Sequence, residues 1–138
     1  MKSERVDTWA TSIPDRPGAL AAKLKQLSAG DVNIEFIVAR RSTEESGKTV
    51  VFITPIKGPK QIGVAGAAGF TKTDSLHTLR VEGADKPGEG VRILTALANG
   101  GLNLRGLAAA AIGKQFVCHI ALDTEADAVK AARIVSEL

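Results

Sequence analysis

Cysteine is nearly missing from this chain: Cys118 is the only one in 138 residues. No internal disulfide can form, so a reducing compartment is the simpler expectation. Cys118 sits in an apolar stretch with no helix start or basic partner in view, so it reads as a small buried hydrophobe rather than a nucleophile. His77 and His119 are the only histidines, and with Cys118 they form neither a CxxC nor an HxxxH spacing, so no metal site is expected. Aromatic residues make up only 4%, and Trp9 reads as either a core residue or an interface anchor, an interface or pocket rim being favoured because its indole N–H has few obvious partners. No stretch approaches 18 uncharged apolar residues, and no apolar segment follows Met1-Lys2-Ser3-Glu4-Arg5. Without a spanning or leader pattern, the expectation is a soluble cytoplasmic protein with no membrane partner.

Charge of one sign is lacking too. The net charge is +3 from 18 basic and 15 acidic residues, too mild and too mixed for the basic stripe that nucleic acid requires. Catalytic patterns are equally sparse. No paired carboxylates stand out, Ser12, Ser28, Ser42 and Ser46 lie outside any nucleophile-elbow pattern, and Gly63, Gly66 and Gly69 match neither a dinucleotide fingerprint nor a phosphate loop. A non-enzymatic protein without a cofactor is expected.

What the chain does have is a turn used twice: Asp15-Arg16-Pro17-Gly18, and Asp85-Lys86-Pro87-Gly88 seventy positions later. Each comes after a strand-like stretch and precedes a helix-like one. Proline fixes φ near about −65° and needs no N–H in a first helical turn, and the residue before it is pushed toward extended geometry. Glycine permits a close approach, and the aspartate is placed to meet the positive helix end.

At this offset Leu24 matches Leu94, Leu27 matches Leu97, Gly30 matches Gly100, and Asn33 matches Asn103. In the first half, residues 6–13 read as a strand, Leu20, Leu24 and Leu27 as one helix stripe, and 32–39 and 48–56 as a hairpin. In the second half, 75–83 read as a strand, Val91, Leu94 and Leu97 as a stripe, 102–110 and 115–122 as a hairpin, and 125–138 as a helix. Matching Gly47-Lys48 to Gly113-Lys114 makes the second hairpin loop four residues shorter. The stretch 59–70 reads as either a poor helix or a loop, because glycines at 63, 66 and 69 each cost about 1 kcal/mol in a helix interior. As a helix, those glycines would form a smooth ridge that another backbone could approach.

Each half is therefore strand, helix, strand, strand, helix, the split βαβ pattern of the α+β ferredoxin-like class, with antiparallel sheets and helices on one face. The expected modules are residues 1–72 and 73–138. Strand 75–83 could end the first module and begin the second. The second module has no last strand of its own, so its sheet edge must pair with the other half or with another chain.

The elbows present backbone N–H groups at helix starts, where anions bind readily. Asn33 and Asn103 could add amide contacts to a small zwitterion. A plainer alternative is that the asparagines cap or turn the chain and the elbows only connect elements.

The strings Asp15-Arg16-Pro17-Gly18-Ala19-Leu20 with Gly30-Asp31-Val32-Asn33-Ile34, and Asp85-Lys86-Pro87-Gly88 with Gly100-Gly101-Leu102-Asn103-Leu104, resemble the ACT domain, a small-molecule-sensing module of amino-acid metabolism. The resemblance covers nearly the whole chain and implies a stand-alone tandem ACT protein. It implies βαββαβ modules that pair side by side, with amino-acid effectors held between modules. Carried over, the ligand-binding positions are Asp15, Arg16, Pro17, Gly18 and Asn33, and Asp85, Lys86, Pro87, Gly88 and Asn103. The implied partners are an amino acid or related small carboxylate, a second copy of the chain in a homodimer, and a metabolic enzyme. The departures are the missing last strand, the glycine ridge, and Gly90 where the first copy has Leu20, which opens or weakens the second site.

Overall fold

The computed structural model describes all residues, Met1–Leu138. They form two compact units, one of residues 7–73 and one of residues 1–6 together with 74–138.

The unit of residues 7–73 contains β2 (Trp9–Pro14), α1 (Ala19–Lys25), a 3-10 turn at Ser28–Gly30, β3 (Phe36–Arg41), β4 (Lys48–Thr54), α2 (Gly58–Ala67) and β5 (Thr71–Lys72). Its antiparallel sheet has the order β3-β4-β2-β5. The other unit contains β1 (Lys2–Val6), β6 (His77–Ala84), α3 (Glu89–Asn99), β7 (Leu104–Ile112), β8 (Gln115–Leu122) and α4 (Glu125–Ser136). Its order is β1-β6-β8-β7, again antiparallel throughout. Each unit is thus a complete α+β ferredoxin-like sheet, and the chain is a tandem of the ACT-like pattern.

The strand that the second half lacked comes from the N-terminus. Lys2–Val6 pairs with Thr78–Glu82, so the division expected at residue 72 gives way to one in which the first six residues belong with the second module. Strand 75–83 is not shared either. β6 serves only the second unit, and the two-residue β5, paired to Trp9 and Ala10, closes the first.

Two fused features hold β1 in place: the ladder, and an ion-paired cluster. The Arg5 guanidinium donates to both carboxylate oxygens of Glu125 at the start of α4, at 2.7 and 2.9 Å. The ring of His77 meets the same carboxylate at 3.2 Å. The Arg5 hydrogen bonds, with help from His77, hold the Glu125 carboxyl down from 4.5 to about 2. Bidentate guanidinium–carboxylate pairs are the strongest of their kind, although exposure weakens this one.

Packing obeys periodicity. Ile93 and Leu97 of α3, and Ala128, Ala131 and Val135 of α4, cover Leu79, Val81, Ile120 and Leu122 of the sheet. Full burial of a residue such as Leu97 contributes roughly 1.5–3 kcal/mol. In the first unit Leu27, Ala65, Ala68 and Phe70 cover Trp9, Ile13, Val51 and Ile53. Trp9 is therefore a core residue rather than a rim residue, since the sheet buries its strand position opposite Ile53. The segment around 59–70 is a true helix, α2, because burying Ala65 and Ala68 outweighs the glycine cost. No neighbour approaches within 4 Å of a Cβ built at Gly63 or Gly66, which face open space. Gly69 lies past the end of α2 at φ +88° with Lys23 and Thr11 beside it, so the three glycines do not form one helical ridge.

Register corrects one alignment. Pro14 faces Lys48 and Ala84 faces Gln115, so Lys48 corresponds to Gln115 and the second hairpin is three residues shorter rather than four.

Gly63→Ala should raise unfolding free energy by up to about 1 kcal/mol in denaturant titration, because the site is helical, exposed and uncrowded; a loss would mean that something packs on Gly63. Glu125→Gln should lower the melting temperature at pH 7. A carboxyl whose folded pKa is depressed stabilises above its unfolded pKa, so the gap to wild type should shrink as pH falls from 4.5 toward about 2. A gap independent of pH would assign the loss to something other than the ionised carboxylate.

Candidate functional site

Both elbows have the same backbone. Gly18 and Gly88 cap α1 and α3 at φ +83° and +90°, a left-handed conformation that glycine adopts without strain. The Asp15 N–H donates to the Gly47 carbonyl and the Asp85 N–H to the Lys114 carbonyl, each at 2.9 Å, tying each elbow to the turn of its hairpin. Neither helix start is capped by a side chain. The aspartates therefore do not cap the helices, and Asp15 instead forms an ion pair with Arg41 Nε at 2.9 Å.

Side chains make the two elbows different. In the first unit Leu20 packs on the core. Its counterpart Gly90 has nothing within 4 Å of a built Cβ. Arg41 lies opposite Thr49 and Ala111 lies opposite Phe116, equivalent places in the two sheets. Ala111 supplies no cation, and Asp85 has no ion-pair partner of the kind that Asp15 has in Arg41.

A cavity of about 270 Å³ opens where these changes coincide. Its wall on the helix side is Gly90, Ile93 and Leu94, and its floor is one face of the hairpin, with Leu107, Ala109, Ala111, Phe116, Cys118 and Ile120. Asp85, Lys86 and Glu89 stand at the elbow end. Glu89 is held by Arg92 at 3.0 and 3.2 Å, and that hydrogen bonding lowers its carboxyl below the usual range. Burial pushes the Cys118 thiol up, away from the thiolate a nucleophile needs. A second cleft of about 170 Å³ reaches Phe116 from Met1, Gly83 and Arg92.

Asn33 and Asn103 are both exposed, just before β3 and β7. Leu104 pairs with Leu122, whereas the elbow is tied to Lys114 beyond the other end of β8. At roughly 3.4 Å per residue, Asn103 is about 24 Å from the elbow of its own unit. Asn33 is separated from Asp15 in the same way by the length of β4, since the Glu35 N–H donates to the Thr54 carbonyl and Asp15 meets Gly47. The structure thus groups Asp85, Lys86, Pro87 and Gly88, and separately Asp15, Arg16, Pro17 and Gly18, but within one unit it brings neither asparagine to its elbow. The apolar lining from β7 and β8 was missed in the sequence. Its only signal was the alanine run 108–111 opposite Phe116 and Cys118.

Solved structures share this fold. A protein from Bacteroides thetaiotaomicron, BT0572, superposes with a TM-score of 0.78 at 12% identity, covering 98% of this chain and 89% of that one. The ligand-free regulatory subunit of aspartate kinase from Thermus thermophilus gives 0.65 at 16% identity over 99% and 97%. A structure of aspartokinase alpha and beta subunits gives 0.62 at 15% identity over 99% and 94%. At these identities the likeness is one of fold. No protein-family model and no curated protein sequence matches the chain. No group of three or more His, Cys, Asp or Glu residues could hold a metal ion, and no helix is long and apolar enough to cross a membrane.

Phe116 lines both the cavity and the second cleft, together with Lys86 and Glu89, so Phe116→Ala should widen the space the two share. The expected result is lower stability, by roughly 3 kcal/mol, with gained fluorescence of a dye that reports apolar surface; an unchanged dye signal would mean that neighbouring side chains close the gap.

Proposed function

We propose that this chain is a non-catalytic regulatory protein that senses an amino acid or related small carboxylate at its second elbow. The cavity beside Gly90 carries this reading: it is close in size to ordinary small-molecule sites, mostly apolar, and has a few polar groups gathered at one end. The amides of Gly90 and Val91, at the uncapped start of α3, and the Lys86 ammonium would receive a carboxylate. Asp85 would receive a positive group. The fold shared with regulatory subunits of aspartate kinase supports the same reading. Ligand would act by preferring one arrangement of an assembly, by no more than its difference in affinity.

The assembly we propose is a homodimer formed along β7. β1 carries Lys2, Glu4 and Arg5, β3 carries Arg40 and Arg41, and β5 carries Lys72, charges that protect an edge. β7 is an outer strand with no charge from Gly106 to Ile112, and Ile112 is 81% exposed. The same edge supports a second reading, a ligand-independent subunit that engages a metabolic enzyme.

A thermal-shift screen against the common amino acids should give at least one saturable rise in melting temperature. No response to any of them, with recovery of one stoichiometric enzyme partner, would favour the second reading. Sedimentation of the chain should show a dimer, and Ala110→Lys should return it to a monomer; a wild-type monomer at high concentration would remove β7 as a self-pairing edge.

A further inference from the structure

We propose that the cavity takes an α-amino acid with an aliphatic side chain of about leucine's size, and that the chain holds one such ligand, in the unit of residues 1–6 and 74–138. This rests on the sensor reading and names the ligand class of the same site.

The two units differ at this place chiefly by lost polarity along the cavity wall and floor, while at its elbow end Glu89 stands where the first unit has Ala19. Leu20 becomes Gly90, which removes bulk. Arg41 becomes Ala111, Lys23 becomes Ile93 and Thr49 becomes Phe116, each removing polarity. In the first unit, Lys23 donates to the Ala68 carbonyl at 2.7 Å and Arg41 pairs with Asp15, so polar side chains there are engaged with their own unit. In the second unit the equivalent positions offer an apolar wall and empty space. Two charges are lost, at Ile93 and Ala111, and side-chain bulk is lost at Gly90, at positions that meet in one cavity.

The polar groups select the other end of the ligand. Glu89 is engaged by Arg92, leaving Asp85 as the carboxylate at the cavity that carries no ion pair. A ligand with only a carboxylate would use Lys86 and leave Asp85 facing negative charge. A zwitterion satisfies both, with its ammonium toward Asp85 and its carboxylate toward Lys86. The side chain then enters between Leu94, Leu107 and Ala109, where a charged or hydroxylated side chain would find no partner.

Titration calorimetry on the full chain, with L-leucine, L-lysine, L-threonine and hexanoate as probes, tests this. Leucine should bind saturably at one per chain, more tightly than the other three. Gly90→Leu and Ala111→Arg, which restore the first unit's residues, should each weaken leucine at least tenfold. Leu20→Ala should leave binding unchanged. Circular dichroism checks that each variant folds, and Ala111→Arg, on an exposed strand end, serves if Gly90→Leu fails to fold. Leucine binding that ignores both substitutions, or two leucines per chain, would overturn the assignment. Lysine or threonine binding in place of leucine would overturn the ligand class and leave the sensor reading standing. Hexanoate binding as tightly as leucine would overturn the role given to Asp85, and no binding by any of the four would overturn the ligand class, leaving the sensor reading to the screen of the common amino acids.

Discussion

The pairing of Lys2–Val6 with Thr78–Glu82 is the constraint on which the second unit depends. It places β6 between β1 and β8, so the strand that ends in the second elbow has a partner on each side. A helix start can present amides in a fixed direction only if the strand before it is fixed. Arg5 and Glu125 reinforce the pairing by tying the edge strand to the helix that covers it. With β1 on one side, β7 becomes the opposite edge, and the cavity lies against β7 and β8 rather than in the middle of the sheet.

Two units with one backbone plan then differ by a few side chains. The elbows have the same left-handed glycine, the same bond from the aspartate N–H to the hairpin turn and the same uncapped helix start. Their surroundings diverge because Leu20 fills space and Arg41 pairs with Asp15 in the first unit, whereas Gly90 and Ala111 do neither in the second. A duplicated fold can keep one copy as a packed structural unit and open the other with little cost to the core, since Ile93, Leu97 and Ile120 remain buried in the second unit.

The parts legible in the sequence were those whose conformation is local. The Pro-Gly elbows, the stripes through Leu24 and Leu94, and the hairpins carry their geometry in adjacent residues, and they were enough for the fold class and for the tandem resemblance. β1 was not legible. Lys-Ser-Glu-Arg-Val is a charged edge strand with no apolar alternation, and its partner lies more than seventy residues away. α2 was obscured by glycines, whose helix cost is overridden only by the tertiary burial of Ala65 and Ala68. The Gly90 departure was visible, but its meaning depended on Ala111 and Phe116, which line the same cavity from the sheet side, a juxtaposition no linear spacing records. The pairing of asparagine with elbow misread the crossover: the helix carries the chain to the far end of the sheet, so Asn33 and Asn103 begin their strands where the elbow strands began, not where they ended.

The proposed divergence of two equivalent places, with a ligand held beside Gly90 in one unit and none at Leu20 in the other, is open to a direct test. Methyl-resolved NMR of the full chain, titrated with L-leucine, reads both places at once because both carry methyl groups. The expected result is shifts at Leu94, Leu107, Ala109 and Ala111 that saturate together, with Leu20, Leu24, Ile37 and Ala39 unmoved. Equal shifts at both sets, or shifts confined to the second set, would contradict it.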